Sequence, residues 1–290
     1  MTAGVIPPER PGYLAPADLA ERRAQFAKAV AAGAWATDRS PVEAQLAGRR
    51  VLRFRPDGEP KGYLLHFHGG GYRLGGPEWE APFASALAER CDVEVVCPQY
   101  RLAPEHPFPG ALIDARACLD ALRVEIGDVP LVVSGDSAGA GLASALGVLA
   151  SLYDGPSIDG LVLLSPFLDL TISAASYAEN AGTDPLFSRE SAEAAAELYL
   201  QGFDPRHPLV SALHAPLQSY PPVLISVGTG EVLRDDSTAF HRKLVATGAD
   251  SALCAVDGME HVAVVRGMEL PGASETFEAI AGFVDRIVQR

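Results

Sequence analysis

Residues 131–142 decide the fold, and they read Leu131-Val132-Val133-Ser134-Gly135-Asp136-Ser137-Ala138-Gly139-Ala140-Gly141-Leu142. The apolar, β-branched run at the start predicts a strand, and the small residues from Ala138 to Tyr153 predict a helix directly after it. Between them stands Gly-x-Ser-x-Gly, with Gly135 and Gly139 leaving room for strand and helix to approach each other. This context predicts that Ser137 is a nucleophile on a sharp strand-to-helix turn.

The composition is that of a globular protein and excludes several classes of partner. The chain has 290 residues, 48% of them hydrophobic, and a formal net charge of −14. Nucleic acids and anionic membranes require basic surface, so neither is an expected partner. The four cysteines are scattered without metal-ligand spacing, and the N-terminus lacks an apolar leader. We therefore expect reduced thiols and a cytoplasmic location.

Strand and helix patterns alternate along most of the chain, which predicts a single α/β domain over residues 1–290. The strands are continuous apolar runs, as expected for a mostly parallel sheet with helices on both faces. The alternation stops between about residues 168 and 220, where a short helix lies among several prolines. A stretch this long without a strand predicts an inserted cap.

A serine nucleophile requires a base and an acid that orients the base, and in folds of this kind the chain order is serine, acid, histidine. Of the histidines that follow Ser137, only His261 stands after a predicted strand and before the final helix, so it is the predicted base. The acid should follow the strand near 222–227. The candidates are Glu231, Asp235 and Asp236. Glu231 is closest to the strand end, whereas Asp235 and Asp236 are predicted in the first turn of the next helix, where negative charge suits the helix dipole. Asp235 remains the alternative.

The glycines after the strand at 62–67 predict an oxyanion hole. In His68-Gly69-Gly70-Gly71, the backbone amides of Gly70 and Gly71 can approach a substrate closely, together with the amide of Ala138. His66 and His68 share one face of that strand and could suggest a metal pair. No Asp, Glu or Cys accompanies them at ligand spacing, so we expect no metal site. Nucleotide-binding motifs are absent from the sequence.

Four motifs together resemble the bacterial hormone-sensitive-lipase-like esterases. They are His68-Gly69-Gly70-Gly71, the block Tyr100-Arg101-Leu102-Ala103-Pro104-Glu105-His106-Pro107-Phe108-Pro109, Gly135-Asp136-Ser137-Ala138-Gly139, and Asp257-Gly258-Met259-Glu260-His261. The resemblance covers nearly the whole chain and implies an α/β-hydrolase sheet of eight strands, with a cap from about residues 1–45 and 168–220. It also implies ester hydrolysis without a cofactor and a homodimer through the last edge strand, near Ala252–Val256.

The chain departs from this family at the acid. The family acid usually lies in an Asp-Pro-Leu-x-Asp segment, whereas this chain has Glu231-Val232-Leu233-Arg234-Asp235. Glu231 takes the place of the family acid and keeps the carboxylate on a longer arm. Asp235 therefore remains open as the acid at this point.

The predicted function is that of a serine carboxylesterase acting on short- to medium-chain esters. Ser137 would attack the ester carbonyl, His261 would take its proton, and Glu231 would hold the imidazole. Aromatic and apolar residues near the site and in the cap are the predicted substrate pocket: Trp35, Tyr72, Phe187, Tyr199, Leu200 and Phe203. Two alternatives stay open, a lactone or amide hydrolase with the same triad and a non-catalytic small-molecule receptor similar to the plant gibberellin receptors.

Overall fold

A computed structural model describes residues 5–152 and 157–289, and these form one eight-stranded sheet covered by helices on both faces. The strand order across the sheet is β1-β2-β4-β3-β5-β6-β7-β8. The strands are β1 Val42–Leu46, β2 Arg49–Phe54, β3 Gly62–Phe67, β4 Val93–Pro98, β5 Leu131–Asp136, β6 Gly160–Leu164, β7 Val223–Gly228 and β8 Ser251–Val256.

Helices alternate with the strands along the chain. They are α1 Ala17–Ala31, α2 Ala81–Cys91, α3 Gly110–Ile126, α4 Ala138–Leu152, α5 Ser176–Glu179, α6 Arg189–Leu200, α7 Arg234–Ala246, α8 Ala263–Arg266 and α9 Ala273–Val288. Two short 3₁₀ segments, Pro77–Glu80 and Ala212–His214, complete the set in the described ranges. None of these helices combines the length and the apolar composition that crossing a bilayer requires.

The predicted fold, a mostly parallel eight-stranded sheet of the α/β-hydrolase type, is confirmed. From β4 to β8 in the sheet order every neighbouring pair is parallel. The pairs β1–β2 and β2–β4 are antiparallel, so β2 alone runs opposite to the other strands. The central strands are buried along their whole length because helices cover both faces. Apolar side chains of α3, α4 and α7 pack on one face, and those of α2 and α9 on the other.

Parallel pairing brings the carboxyl ends of β3, β5, β6, β7 and β8 to one edge of the sheet. Loops that follow these ends are where α/β sheets carry their ligands. The sequence patterns placed the predicted nucleophile, acid and base on three of these loops. The sheet therefore provides the frame on which these residues can meet.

The segment predicted as an inserted cap contains α5, α6 and the turn at Ala212–His214, and no strand occurs in it. The helix predicted there from residue 190 to 200 is observed as α6. Residues 1–4 of the predicted N-terminal cap lie outside the described residues, as does Tyr153, the predicted end of the helix after Ser137. The division of the chain into a core and a cap stays a prediction.

Candidate active site

Ser137 lies on the sharp turn between β5 and α4. Its φ of 51° is in the left-handed region that residues with a side chain rarely adopt. The Ser137 amide donates to the carbonyl of Leu164 at 2.8 Å, which ties the turn to the neighbouring strand β6. A Cβ at Gly139 would overlap the carbonyl oxygen of Phe67, so only glycine allows α4 to start this close to β3. The Ser137 hydroxyl is thereby held at the carboxyl edge of the sheet.

His261 connects Ser137 to Glu231 through its two ring nitrogens. Its Nε2 lies 3.1 Å from Ser137 Oγ, and its Nδ1 lies 2.7 Å from Glu231 Oε2. All three residues are buried. The serine comes from the turn after β5, the acid from the loop after β7, and the histidine from the loop after β8. Ser137 and His261, which are 124 residues apart in the chain, thus converge with Glu231 in the order predicted from the sequence.

The carboxylate of Glu231 is fully engaged. Its Oε1 accepts hydrogen bonds from the Gly228 amide at 2.6 Å and from the Ser165 hydroxyl at 2.8 Å, while Oε2 faces His261. A carboxylate at Nδ1 favours the tautomer that carries the proton there and leaves Nε2 free to accept the serine proton. The arrangement therefore presents a general base to Ser137.

The electrostatics of His261 suit that role. Burial by itself lowers the pKa of His261, but the hydrogen bond to Glu231 and the charges of Glu231, Asp184 and Asp136 outweigh burial and raise it. A raised pKa means that the imidazolium formed after proton transfer is stabilised in place. The group can therefore accept a proton from Ser137 and hold it until a leaving group takes it.

Asp235, the alternative acid, does not contact the histidine. Its Oδ2 accepts the backbone amide of Ser176 at 3.0 Å, and its Oδ1 pairs with Arg234. Glu231, and not Asp235, is the carboxylate next to His261.

The glycine loop after β3 runs beside Ser137. Gly70 and Gly71 both have positive φ, at 100° and 62°, and a Cβ at Gly70 would overlap the carbonyl oxygen of Leu74. Gly70 lines the cavity in front of Ser137, and Ala138 follows Ser137 as the first residue of α4. Backbone amides at such positions can stabilise an oxyanion. Their assignment as an oxyanion hole stays a prediction.

A cavity of about 430 Å³ opens in front of Ser137. A volume of this size suits a small organic ligand. Its wall combines apolar side chains with the reacting groups and with two buried carboxylates. The lining residues are Trp35, Gly70, Trp79, Glu80, Asp136, Ser137, Leu186, His261, Val262, Val265 and Arg266.

Five of the six predicted pocket residues do not line this cavity, which corrects the prediction from the sequence, and four of these five pack in the core. Tyr72 and Tyr199 are buried and stack on each other with ring centroids 3.9 Å apart, Leu200 is buried in the same core, and Phe203 packs on Phe108 at 4.7 Å. These side chains hold α6 against the sheet, so packing explains their apolar character.

The two other predicted pocket residues lie at the site. Trp35 lines the cavity and has Phe26 and Trp79 as aromatic neighbours. Phe187 stacks on the imidazole of His261. Trp79, Leu186, Val262 and Val265 were not predicted, because no short motif distinguishes an apolar side chain in a cavity wall from one in the core.

Several supporting residues were also missed. Ser165 donates to Glu231 and accepts the Val262 amide at 3.2 Å, so it links the acid loop to the histidine loop. Asn180 donates to the carbonyls of Thr229 and Glu231, at 3.1 and 2.7 Å. Serine and asparagine at these positions match no motif, and only the folded geometry identifies them.

Two acidic residues contact His66 in the folded chain, although none stands at ligand spacing in the sequence. The Nε2 of His66 lies 2.9 Å from Glu80 and 3.6 Å from Asp136, and all three side chains are buried. The search by sequence spacing missed both partners because they come from other segments of the chain. His68, by contrast, bonds the carbonyl of Gly69 at 2.8 Å and stacks on Tyr100, and burial lowers its pKa to about 4.

Comparisons with known proteins agree with this geometry. A protein-family model described as alpha/beta hydrolase fold matches residues 64–265. An acetyl-hydrolase of Streptomyces hygroscopicus is 40% identical over 67% of this chain, and the match spans 65% of that protein, slightly less than two thirds. The carboxylesterase NlhH of Mycobacterium tuberculosis is 32% identical over 73% of this chain and 69% of its own length.

A solved structure extends the likeness to nearly the full chain. It is the crystal structure of an esterase from the bacterial hormone-sensitive lipase family, with a TM-score of 0.88 and 30% sequence identity. The superposition covers 95% of this chain and 93% of that one. The resemblance found in the sequence motifs is therefore matched by similarity in three dimensions.

Proposed function

The chain belongs to the α/β-hydrolase fold family that matches residues 64–265, and from this premise we propose that it is a serine carboxylesterase. The observation that carries the proposal is the hydrogen-bonded chain from Ser137 Oγ through His261 to Glu231, with distances of 3.1 and 2.7 Å. The esterase, carboxylesterase and acetyl-hydrolase names of its relatives support the same reaction.

The proposed reaction has two halves. In the first, Ser137 attacks the ester carbonyl while His261 Nε2 takes the serine proton, and Glu231 stabilises the resulting imidazolium. The amides of Gly70, Gly71 and Ala138 stabilise the negative oxygen of the tetrahedral intermediate. His261 then protonates the departing alcohol, which leaves an acyl group on Ser137. In the second half, water activated by His261 releases the acid and restores the enzyme.

The cavity supports short- to medium-chain substrates. Its volume of about 430 Å³ and its apolar wall, which includes Trp35, Trp79 and Leu186, suit a compact ester with an uncharged acyl group. The apolar part of the wall disfavours a charged acyl chain, because a charge placed against Trp35, Trp79 and Leu186 would lose its hydration without gaining a partner. We expect turnover to be highest for short and medium chains and to fall steeply for long ones.

The test is hydrolysis of p-nitrophenyl esters from acetate to palmitate by the wild-type protein and by Ser137→Ala. Ser144→Ala serves as the matched control, because Ser144 is a buried serine of α4 that bonds the Gly141 carbonyl and does not line the cavity. We expect Ser137→Ala to lose turnover and Ser144→Ala to retain it. Turnover that survives Ser137→Ala would contradict the mechanism. A wild-type protein inactive on every ester but active on lactones or amides would contradict the substrate class.

A further inference from the structure

The buried cluster of His66, Glu80 and Asp136 lies directly behind the proposed active site. We propose that His66, held between the two carboxylates, is a positioning residue that fixes the glycine loop 69–71 against the turn at Ser137. The inference rests on the proposed function, because it assigns to this cluster the alignment of the nucleophile with the oxyanion hole.

His66 joins the two strands that carry the two halves of the site. β3 leads into the glycine loop and β5 leads into Ser137, and the pairing register places His66 opposite Ser134. His66 Nδ1 lies 3.0 Å from Ser134 Oγ, which makes a cross-strand side-chain pair at the ends of both strands. A change at this pair would shift the glycine loop relative to the nucleophile.

The other ring nitrogen reaches the two carboxylates. Nε2 lies 2.9 Å from Glu80, the last residue of the 3₁₀ segment that follows the glycine loop, and 3.6 Å from Asp136, which precedes Ser137. Asp136 also packs against Gly69 so closely that a Cβ there would overlap its Oδ2. One imidazole thus contacts the segments on both sides of the glycine loop and the turn that presents Ser137.

Charge explains why a cation belongs at the centre of this cluster. Glu80 and Asp136 are buried, and among the residues that the structure describes neither forms an ion pair with a lysine or arginine. Asp136 Oδ1 has no hydrogen-bond partner within 3.5 Å and points toward the imidazole. Two uncompensated carboxylates would be costly to bury, and they would oppose a developing oxyanion beside Ser137. An imidazolium offsets part of that charge.

The titration of the group agrees with this reading. Burial by itself lowers the pKa of His66, but the close approach and charge of Asp136, together with the hydrogen bond and charge of Glu80, raise it above its ordinary value. The neighbouring His68 faces the same loop and stays neutral, since burial lowers its pKa. Cys97 and Tyr100 also face the cluster, and burial raises the pKa of each, so both remain uncharged. Among these groups His66 is the one whose pKa favours a cation. Burial and the charge of Asp136 also raise the pKa of Glu80, against the contact with His66, so the cluster holds less than the full negative charge of two carboxylates.

Glu80→Gln and Asp136→Asn test the proposal, because both keep the shape of the side chain and remove one charge. Ser134→Ala is the milder variant, since it removes the Nδ1 partner and no charge. Glu78→Gln is the matched control: Glu78 lies in the same 3₁₀ segment but pairs with Arg50 and does not line the cavity. Each variant is compared with wild type by kcat and KM on p-nitrophenyl butyrate and by amide hydrogen exchange of residues 66–76.

We expect Glu80→Gln and Asp136→Asn to lower kcat by about 10-fold or more with KM changed by less than about twofold, because small misplacements at a reacting centre cost rate. Ser134→Ala should show a smaller fall of the same kind. Hydrogen exchange should quicken in residues 66–76 and stay unchanged elsewhere, and Glu78→Gln should match wild type in every measurement. Hydrogen exchange needs no turnover, so it decides the inference even if the wild-type protein hydrolyses no ester.

Three results would overturn the assignment. The first is an unchanged kcat and unchanged exchange in Glu80→Gln and Asp136→Asn. The second is a loss of exchange protection throughout the protein, with kcat lowered and KM raised, which would show general destabilisation. The third is an increase in wild-type Tm on addition of Zn²⁺ or Mn²⁺ that is lost in Glu80→Gln, since the three side chains would then hold a metal ion.

Discussion

The ring of Phe187 lies parallel to the imidazole of His261, with the planes 10° apart and the ring centroids separated by 5.4 Å. Phe187 belongs to the segment between β6 and β7 that breaks the strand–helix alternation. Asp184 of the same segment accepts the Val232 amide at 3.0 Å, next to Glu231. The segment therefore supports the base and the acid loop as well as enclosing the cavity.

Removing the Phe187 ring should slow turnover, because the stack limits the orientations of His261. Aromatic pairs of this kind contribute about 0.5–1.5 kcal/mol. We therefore expect Phe187→Leu to lower kcat by about 10-fold or less, and Phe187→Tyr, which keeps the ring, to stay near wild type. Steady-state kinetics on a short-chain ester check this. Equal rates for the leucine and tyrosine variants would show that the stack has no part in turnover.

Replacing Glu231 should have a much larger effect than replacing Asp235. An amide in place of the triad carboxylate favours the wrong imidazole tautomer, so we expect Glu231→Gln to lower kcat by about 10³–10⁴-fold. Asp235→Asn should retain activity within about twofold, because Asp235 bonds Ser176 and Arg234 and does not contact His261. The reverse ranking would identify Asp235 as the acid.

The pH profile gives a second readout of the same contact. The proposed base must be neutral to accept a proton, so kcat/KM should rise with pH through the pKa of His261. Glu231 is one of the groups that raise this pKa. The acidic limb of Glu231→Gln should therefore move to lower pH than that of wild type. A limb that stays in place would mean that Glu231 does not set the charge state of His261.

Asp236 should make stability depend on pH. It is buried, and its Oδ2 accepts the amides of Leu168 and Asp169, each at 3.0 Å. Burial raises the pKa of Asp236 to about 8, with the charge of Asp169 adding to the rise against these hydrogen bonds. Between these two pKa values the folded protein keeps Asp236 protonated, whereas the unfolded chain, in which Asp236 has its ordinary pKa of 3.8, releases the proton. Stability from this group is lost as pH rises through about 8.

Asp236→Asn removes this titration while keeping an oxygen for the two amides. We expect the Tm of the variant, measured relative to wild type, to increase by on the order of 10 °C between pH 5 and pH 9, because about three pH units at about 1.4 kcal/mol each separate pH 5 from the raised pKa and each kcal/mol shifts Tm by about 2–4 °C. Thermal unfolding of both proteins across that range measures the difference. A difference in Tm that does not change with pH would show that Asp236 is already ionised in the folded protein at pH 5.

The residues that meet at the candidate site could be predicted from the sequence because each has a fixed place relative to a strand. Ser137 stands in a motif between strand and helix, and His261 follows a strand and precedes a helix. The acid could not be decided from the residues alone, because Glu231 and Asp235 are only four residues apart and both follow the same strand. Only the folded loop, bonded to Ser165 and Gly228, directs the Glu231 carboxylate to the imidazole.

The cavity wall and the cluster around His66 could not be predicted, because both depend on contacts between distant segments. Tyr72 and Tyr199 have the aromatic side chains expected of pocket residues, but they stack on each other in the core. Glu80 follows His66 by 14 residues, and no ligand spacing relates them. β1 was missed for a different reason: four of its five residues are exposed or half-buried at the sheet edge, so its apolar signal is weak.

At residue 137 the left-handed backbone conformation favours glycine for stability, whereas the proposed mechanism requires serine. Glycine would adopt that conformation without strain, whereas serine holds it only because the surrounding strands and helix enforce it. A library of variants selected for heat resistance alone would therefore favour glycine at position 137 and accumulate well-folded, inactive proteins. Retention of serine at this position requires selection for its hydroxyl group.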